Sequence, residues 1–154
     1  MRVFSRSETG PDDIVTVLLV SPLEGDRQSL GGIFAHTNWR LTTAHTLDRA
    51  VSSLRSGRYA LVICERTLQQ GTWKDLLERT LAMPSPPLVL VTGLHPDDRL
   101  WAEAINLGAY DVLPKPFDRQ EVVQVVSAAW LQWRSRRLRH ARLAEERHLA
   151  AFCA

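Results

Sequence analysis

Five short apolar runs alternate along this chain with segments of helical pattern, and this alternation constrains the fold more than any other feature. The runs are too short for helices and lack a clean polar alternation, which is typical of strands that are covered on both faces. The predicted strands comprise residues 14–20, 39–46, 59–64, 88–92 and 110–113. Strands that alternate with helices predict an α/β fold, in which helices cover both faces of a parallel sheet.

The number of units and the handedness of the crossovers narrow this prediction to one topology. Five strand–helix units with right-handed connections predict a doubly wound, flavodoxin-like (βα)5 sheet with strand order 2-1-3-4-5. Among the helices, Asp26 is predicted to begin or cap the first, and residues 46–54 and 71–81 form the next two. The fourth is predicted to start at Pro96-Asp97-Asp98, and Asp118 is predicted to cap a long last helix.

Length and composition predict one domain with a polar leader and a basic extension. The chain has 154 residues, 45% of them apolar, which is enough to bury a core. We predict a flexible leader over residues 1–12, an α/β domain over residues 13–133 and a helical extension over residues 134–154. No apolar run is long enough to span a bilayer, and two cysteines make no disulfide framework, so we expect a cytoplasmic protein without a membrane partner.

In a parallel sheet of this kind, the functional site lies outside the carboxyl ends of the strands. Four short sequences follow the predicted strands there: Ser21-Pro22, Glu65-Arg66, Thr92-Gly93 and Pro114-Lys115. They offer one carboxylate, two hydroxyls and one ammonium group. The function of the domain therefore depends on what this small set of groups can do together.

The segment Leu113-Pro114-Lys115-Pro116-Phe117, which follows Gly108-Ala109-Tyr110-Asp111-Val112, resembles the end of a CheY-like response-regulator receiver domain. The resemblance covers roughly residues 13–130. It implies two-component, phosphorelay-type signal transduction, in which an aspartate after the third strand accepts a phosphoryl group beside a divalent cation. By position, it implies that Glu65 stands at the acceptor aspartate, Thr92 at the hydroxyl and Lys115 at the lysine, with a cis Lys115–Pro116 bond.

The departures from this resemblance predict a pseudo-receiver, an atypical response regulator that has lost its phosphoacceptor pocket. Ser21 and Pro22 stand where the family has an acidic pair, and Glu65 is one methylene longer than aspartate. Because Mg²⁺ needs carboxylate ligands, we expect its binding to be lost or weak, with no other cofactor and no metal site. Glu24 and Asp26 lie nearby but beyond the turn.

Glu65 is expected to form an ion pair with Lys115 and a hydrogen bond with Thr92. Two interpretations stay open: Glu65 imitates part of a phosphorylated state, or it fills a lost pocket as a structural partner of Lys115. In either case we expect no enzyme and no catalytic residue, but phosphorylation-independent contact with a protein partner or output domain. A conventional receiver, phosphorylated at Glu65 or another carboxylate, is the alternative.

The resemblance also implies an interaction face around the fifth strand and its flanking helices. We predict that it comprises Trp101, Tyr110, Val112, Trp130 and Trp133. Core packing is the competing interpretation for these side chains, and it is preferred for Trp101.

The last helix continues past Trp133 into a basic segment. Residues 134–149 contain six arginines and two glutamates, a local charge of +4. Three interpretations stay open: a solvated helix, a homodimer helix aided by Trp130 and Trp133, and a nucleic-acid-binding adaptor whose arginines contact phosphates.

Overall fold

The computed structural model describes residues 14–152, so the predicted leader lies outside the described residues. Seven strands and five helices follow one another in this region. In chain order they are β1 (Thr16–Val20), α1 (Glu24–Phe34), β2 (Arg40–Ala44), α2 (Leu47–Ser56), β3 (Leu61–Glu65), β4 (Thr67–Leu68), β5 (Gly71–Thr72), α3 (Trp73–Leu81), β6 (Leu88–Leu94), α4 (Asp98–Leu107), β7 (Asp111–Lys115) and α5 (Arg119–Phe152).

The main sheet has five parallel strands in the order β2-β1-β3-β6-β7. With the small β4–β5 hairpin set aside, this is the predicted flavodoxin-like order, and the fold prediction is confirmed. The register pairs Val20 with Cys64, and Glu65 with Thr92. It therefore brings the carboxyl ends of the central strands to one edge of the sheet.

Two cores form on opposite faces of the sheet because successive strand side chains point to opposite sides. On β1, Leu18 belongs to the core under α2, α3 and α4, whereas Leu19 belongs to the core under α1 and α5. Every residue of β3 is buried, and the four residues before Glu65 are apolar. Cys64 is one of these buried residues and packs as a small core side chain, as its setting in the sequence predicts.

Side chains at the helix starts confirm most of the predicted boundaries. Thr46 caps α2 and Asp97 caps α4, where its carboxylate accepts a hydrogen bond from the Leu100 N–H at 2.9 Å. Asp118 accepts one from the Glu121 N–H at the start of α5, at 3.0 Å. These caps satisfy backbone donors that have no partner within the helix.

Two predicted helix starts are wrong. α1 begins at Glu24 after Leu23, which makes no side-chain cap, so Asp26 lies inside the first turn rather than at the cap. Gly71 and Thr72 form the strand β5 instead of the first residues of a helix, and Gly71 has φ of 131°, which favours glycine. α3 starts at Trp73, and Thr72 and Asp75 close it with reciprocal hydrogen bonds.

The last helix has two parts with different environments. Up to Trp133 it buries one side, formed by Val122, Val126, Ala129 and Trp133, against the sheet. From Arg134 to Phe152 it stays helical, but all side chains except the partly buried Arg137 are exposed. Across residues 14–152, no helix is long and apolar enough to cross a membrane.

Candidate functional site

The candidate site surrounds Lys115, the last residue of β7 at the carboxyl edge of the sheet. The Lys115–Pro116 peptide bond is cis, as the family resemblance implies. Lys115 is only 8% exposed, and Asp26 and Glu65 beside it are 6% and 9% exposed. Because burying a charge is costly, each of these groups must find an opposite charge within the pocket.

Lys115 contacts two carboxylates at once. Its Nζ lies 2.5 Å from Glu65 Oε2, which confirms the predicted ion pair. The same Nζ donates to Asp26 Oδ1 at 3.1 Å and to Asp26 Oδ2 at 3.0 Å. The pocket therefore holds two carboxylates around one ammonium group.

Asp26 is the site residue that sequence reasoning missed. Because α1 starts at Glu24, the first turn directs Asp26 inward, where Ser21 Oγ donates to its Oδ2 at 2.7 Å. A signal was present in the sequence, since Asp26, Leu30 and Phe34 recur every four residues and so share the buried side of α1. A carboxylate on the buried side of a helix requires a partner, and here the partner is Lys115.

The predicted hydrogen bond between Glu65 and Thr92 is wrong. Thr92 Oγ1 instead donates to the backbone oxygen of Leu113 at 2.7 Å, across the β6–β7 pair. Glu65 Oε2 is left with its ion pair to Lys115 and no well-aligned hydrogen bond from residues 14–152. The Thr92 hydroxyl is therefore hydrogen-bonded within the sheet and not to Glu65.

Burial dominates the electrostatics of Glu65. It raises the pKa of the Glu65 carboxyl, and the negative charge of Asp26 adds to the rise. The adjacent ammonium of Lys115 and, more weakly, Arg66 act in the opposite direction. The net rise fits a pocket in which two carboxylates share one cation.

Ser21 and Pro22 complete the pocket without adding a charge. Ser21 is buried, its hydroxyl accepts from the Leu23 N–H at 3.1 Å, and Pro22 offers no side-chain ligand. No group of three or more His, Cys, Asp or Glu side chains in residues 14–152 is arranged to hold a metal ion. Both carboxylates of the pocket, those of Glu65 and Asp26, contact Lys115 Nζ.

The predicted interaction face is only partly at the surface. Val112 and Trp133 are buried in the two cores, which agrees with the core-packing interpretation of these two side chains. Trp101, Tyr110 and Trp130 are half-buried and pack against those cores, with part of each side chain exposed. The apolar side of each adjoining helix packs against the sheet. From the sequence pattern alone, an apolar side that packs in the core cannot be distinguished from one that binds a partner.

Comparison with known proteins identifies the family to which the chain belongs. The family model of the response regulator receiver domain matches residues 17–127, which is most of the chain. The chain belongs to the response-regulator receiver family. It is a receiver domain of two-component signalling, and the fold predicted from its sequence is the fold of that family.

Relatives of this receiver domain include longer regulators. The transcriptional regulatory protein FixJ of Bradyrhizobium diazoefficiens is 28% identical over 104 residues, covering 67% of this chain and 50% of FixJ. The C4-dicarboxylate transport transcriptional regulatory protein DctR of Rhodobacter capsulatus is 26% identical over 117 residues, covering 74% and 59%. The chain thus spans about half the length of these curated relatives.

Solved structures agree on the fold. The signal receiver domain of an HD domain-containing protein from Pseudomonas fluorescens Pf-5 superimposes with a TM-score of 0.74 at 30% identity, covering 82% of this chain and 93% of that one. The receiver domain of a putative LuxO repressor protein from Vibrio parahaemolyticus gives a TM-score of 0.76 at 19% identity, covering 81% and 96%. The second likeness concerns the fold alone.

Proposed function

We propose that this receiver domain is a pseudo-receiver, an atypical response regulator that acts by phosphorylation-independent protein–protein contact. The observation that carries the proposal is the position of Lys115 Nζ between Glu65 Oε2 and the carboxylate of Asp26. The family resemblance implies that, in a phosphorylated receiver, the equivalent lysine binds the phosphoryl group. Here two carboxylates of the chain itself engage it.

The rest of the pocket supports the same proposal. Neither Ser21 nor Pro22 supplies a carboxylate, and the Thr92 hydroxyl is committed to Leu113. We therefore propose that Mg²⁺ binding is lost or weak, that the domain needs no cofactor and that it is not an enzyme. The cytoplasm stays the predicted compartment.

Phosphoryl transfer gives the direct test. The protein is incubated with acetyl phosphate and Mg²⁺, and intact mass is measured beside a receiver domain that retains its aspartate. We expect a phosphoryl adduct on the control and none on this protein. A stoichiometric adduct on Glu65 or another carboxylate would overturn the proposal in favour of a conventional phosphorelay receiver.

Glu65 has a separate test, because its role as a partial mimic differs from a purely structural role. A carboxylate carries one negative charge against nearly two on a phosphoryl group, so any mimicry is partial. Glu65→Gln keeps the shape and removes the charge, while Asp26 still holds Lys115. If Glu65 mimics phosphorylation, the variant changes oligomeric state or partner binding; unchanged values assign it a structural role.

The exposed leucines of α5 support one particular protein contact, a homodimer that forms through this last helix. Leu131, Leu138 and Leu149 are exposed, and their separations of seven and eleven residues amount to about two and three turns. They therefore align on the side of α5 that faces away from Trp133. Such a row of leucines is typical of a helix–helix contact.

Sedimentation of matched variants tests this dimer. Leu138→Gln removes a leucine from the row, whereas His140→Gln places the same side chain on the other side of the helix. We expect a dimer that Leu138→Gln weakens and His140→Gln leaves intact. A monomer at all concentrations would contradict this part of the proposal.

The exposed arginines of α5 favour nucleic-acid binding as a second candidate function. Residues 134–149 carry six arginines against two glutamates, and only Arg137 among the arginines is partly buried. Arginine clusters bind phosphates without reading sequence, and such binding falls steeply with salt. Salt-sensitive binding to duplex DNA that disappears when residues 134–154 are deleted would establish it.

A further inference from the structure

A groove between α2 and α3 lies apart from the Lys115 pocket. It consists of three adjoining cavities of about 600, 410 and 200 Å³. The first two share Arg55 and Arg79, and the first and third share Leu54 and Met83, so the cavities form one continuous depression. None of its lining residues belongs to the Lys115 pocket. We call this depression the α2–α3 groove.

The floor of the α2–α3 groove is apolar. Val51 and Leu54 of α2 form part of it at the edge of the core, and the half-buried Met83 continues it after α3. At its far end the groove reaches Tyr59 and Trp133. A floor of this kind offers apolar area to a ligand that can bring apolar side chains to it.

The rim of the groove is positively charged. Four arginines line it, Arg55, Arg58, Arg79 and Arg137, against one acidic residue, Asp48. Arg55 and Arg79 are exposed, and neither forms an ion pair or hydrogen bond with another residue of the 14–152 region. The rim is therefore complementary to negative charge.

We propose that the α2–α3 groove binds an acidic amphipathic segment of a partner protein. Apolar side chains of that segment would lie on the Val51–Leu54–Met83 floor, and its carboxylates would meet Arg55 and Arg79. Along α2 alone, the lining extends over nine residues, from Asp48 to Ser56, or about 12 Å, which matches about two turns of a helical peptide.

Other occupants fit the groove less well. Nucleic acid would satisfy the arginines, but its charged backbone would leave the apolar floor uncovered. A second copy of this chain would present its exposed α5 extension, which is itself basic and would be repelled by the rim. An acidic peptide with apolar residues on one side satisfies both the floor and the rim.

This inference goes beyond the pseudo-receiver proposal and does not depend on it. The two sites share no residue, so a phosphoryl adduct at Glu65 would overturn the first proposal without affecting the groove. Conversely, failure of peptide binding would leave the interpretation of the Lys115 pocket unchanged.

The test uses the full chain and a fluorescein-labelled helical peptide that carries leucines on one side and glutamates on the other. Fluorescence anisotropy measures its affinity for the wild type and for the double variant Arg55→Glu/Arg79→Glu. We expect the double variant to weaken binding by about tenfold or more, because two attractive contacts become repulsive. Arg49→Glu, on the same helix but outside the groove, should change the affinity by less than about twofold.

Three further measurements make the outcome decisive. Peptides with leucines replaced by serine, or glutamates by lysine, should bind more weakly, and Met83→Asp should weaken the parent peptide. Thermal denaturation checks that each variant is folded. Absence of binding, or equal loss in Arg49→Glu, overturns the proposal. Stronger binding of single-stranded DNA through Arg55 and Arg79 would assign the groove to nucleic acid instead.

Discussion

At the scale of single residues, Lys115 is the group on which the pocket depends. It is the buried ammonium that Asp26 and Glu65 both contact, and it lies within 3.1 Å of oxygen atoms from each. Removing one member of a buried ion pair leaves the other charge without compensation. The three residues therefore contribute unequally to stability. Loss of one carboxylate leaves Lys115 paired with the other, whereas loss of Lys115 leaves both carboxylates without an ion-pair partner in the pocket.

Replacing the lysine tests this asymmetry. Lys115→Met should lower the free energy of unfolding by about 3 kcal/mol at neutral pH, since it leaves two carboxylates buried together. The loss should shrink in acid, where protonation of Glu65 removes one of the two unpaired charges. Urea denaturation measures both values. Lys74→Met, which breaks the more exposed Lys74–Glu103 ion pair, is the matched control and should cost less than about 1 kcal/mol.

The raised pKa of Glu65 gives a pH dependence with a definite sign. Because the folded state raises this pKa above its ordinary value of 4.5, folding favours the protonated carboxyl. Its contribution to stability is present below the ordinary pKa and is lost as pH rises through the folded pKa. Glu65→Gln cannot titrate, so its stability relative to the wild type should improve from acid to neutral pH.

Urea denaturation across this pH range checks the prediction for Glu65. Glu78→Gln, on the exposed side of α3, controls for the substitution itself. If Glu65→Gln instead loses stability relative to the wild type as pH rises, the ion pair with Lys115 outweighs the burial of the carboxylate.

At the scale of elements, helix starts decide where the functional side chains lie. The uncapped start of α1 at Glu24 turns Asp26 inward, and the Thr72–Asp75 pair fixes α3 directly after the β4–β5 hairpin. α4 is held at both ends, by Asp97 at its start and by Gly108, with φ of 107°, at its end. Boundaries of this kind depend on one or two hydrogen bonds, so single substitutions should reveal them.

The start of α4 offers a matched pair of aspartates. Asp97→Ala removes the carboxylate that accepts from the Leu100 N–H, and should cost about 1 kcal/mol. Asp98→Ala, one residue later and outside the cap position, should lower the free energy of unfolding by roughly a few tenths of a kcal/mol, because it removes only an interaction with the helix dipole. Thermal denaturation compares the two variants. Equal losses would show that the cap hydrogen bond contributes nothing special.

At the scale of the whole molecule, one sheet joins two cores and separates two candidate binding regions. The Lys115 pocket lies at the carboxyl edge of the sheet, whereas the α2–α3 groove lies between α2 and α3 and reaches α5 at its far end. Because both cores include residues of the same strands, loss of either should unfold the whole domain. The exposed part of α5 contributes no buried side chain to either core.

Two adjacent leucines of β1 test this shared dependence. Leu18 and Leu19 are both fully buried, but on opposite faces of the sheet. Leu18→Ala and Leu19→Ala should each lower the free energy of unfolding by about 3 kcal/mol, through lost apolar contact and the cavity left behind. Circular dichroism and tryptophan fluorescence should report one common transition for each variant. Separate transitions would mean that the two cores unfold independently.

The sequence by itself determined the order of the strands, because the length and polarity of each segment set its element and its burial. The family resemblance of the sequence implied that Lys115 would meet Glu65, and the shared edge at the carboxyl ends of parallel strands is consistent with that contact. The starts of α2, α4 and α5 were also predictable from the sequence, because each capping side chain binds a backbone N–H within the first turn of its own helix.

Only the tertiary structure decided which groups finally meet in the pocket and at the surface. Asp26 reaches Lys115 across 89 positions of sequence, and Thr92 turns to Leu113 rather than to Glu65. The α2–α3 groove likewise joins arginines from separate segments. Sequence periodicity indicates which side of a helix or strand is buried. Which side chains from different elements meet depends on how those elements pack. The distances between elements are not encoded in any local sequence pattern.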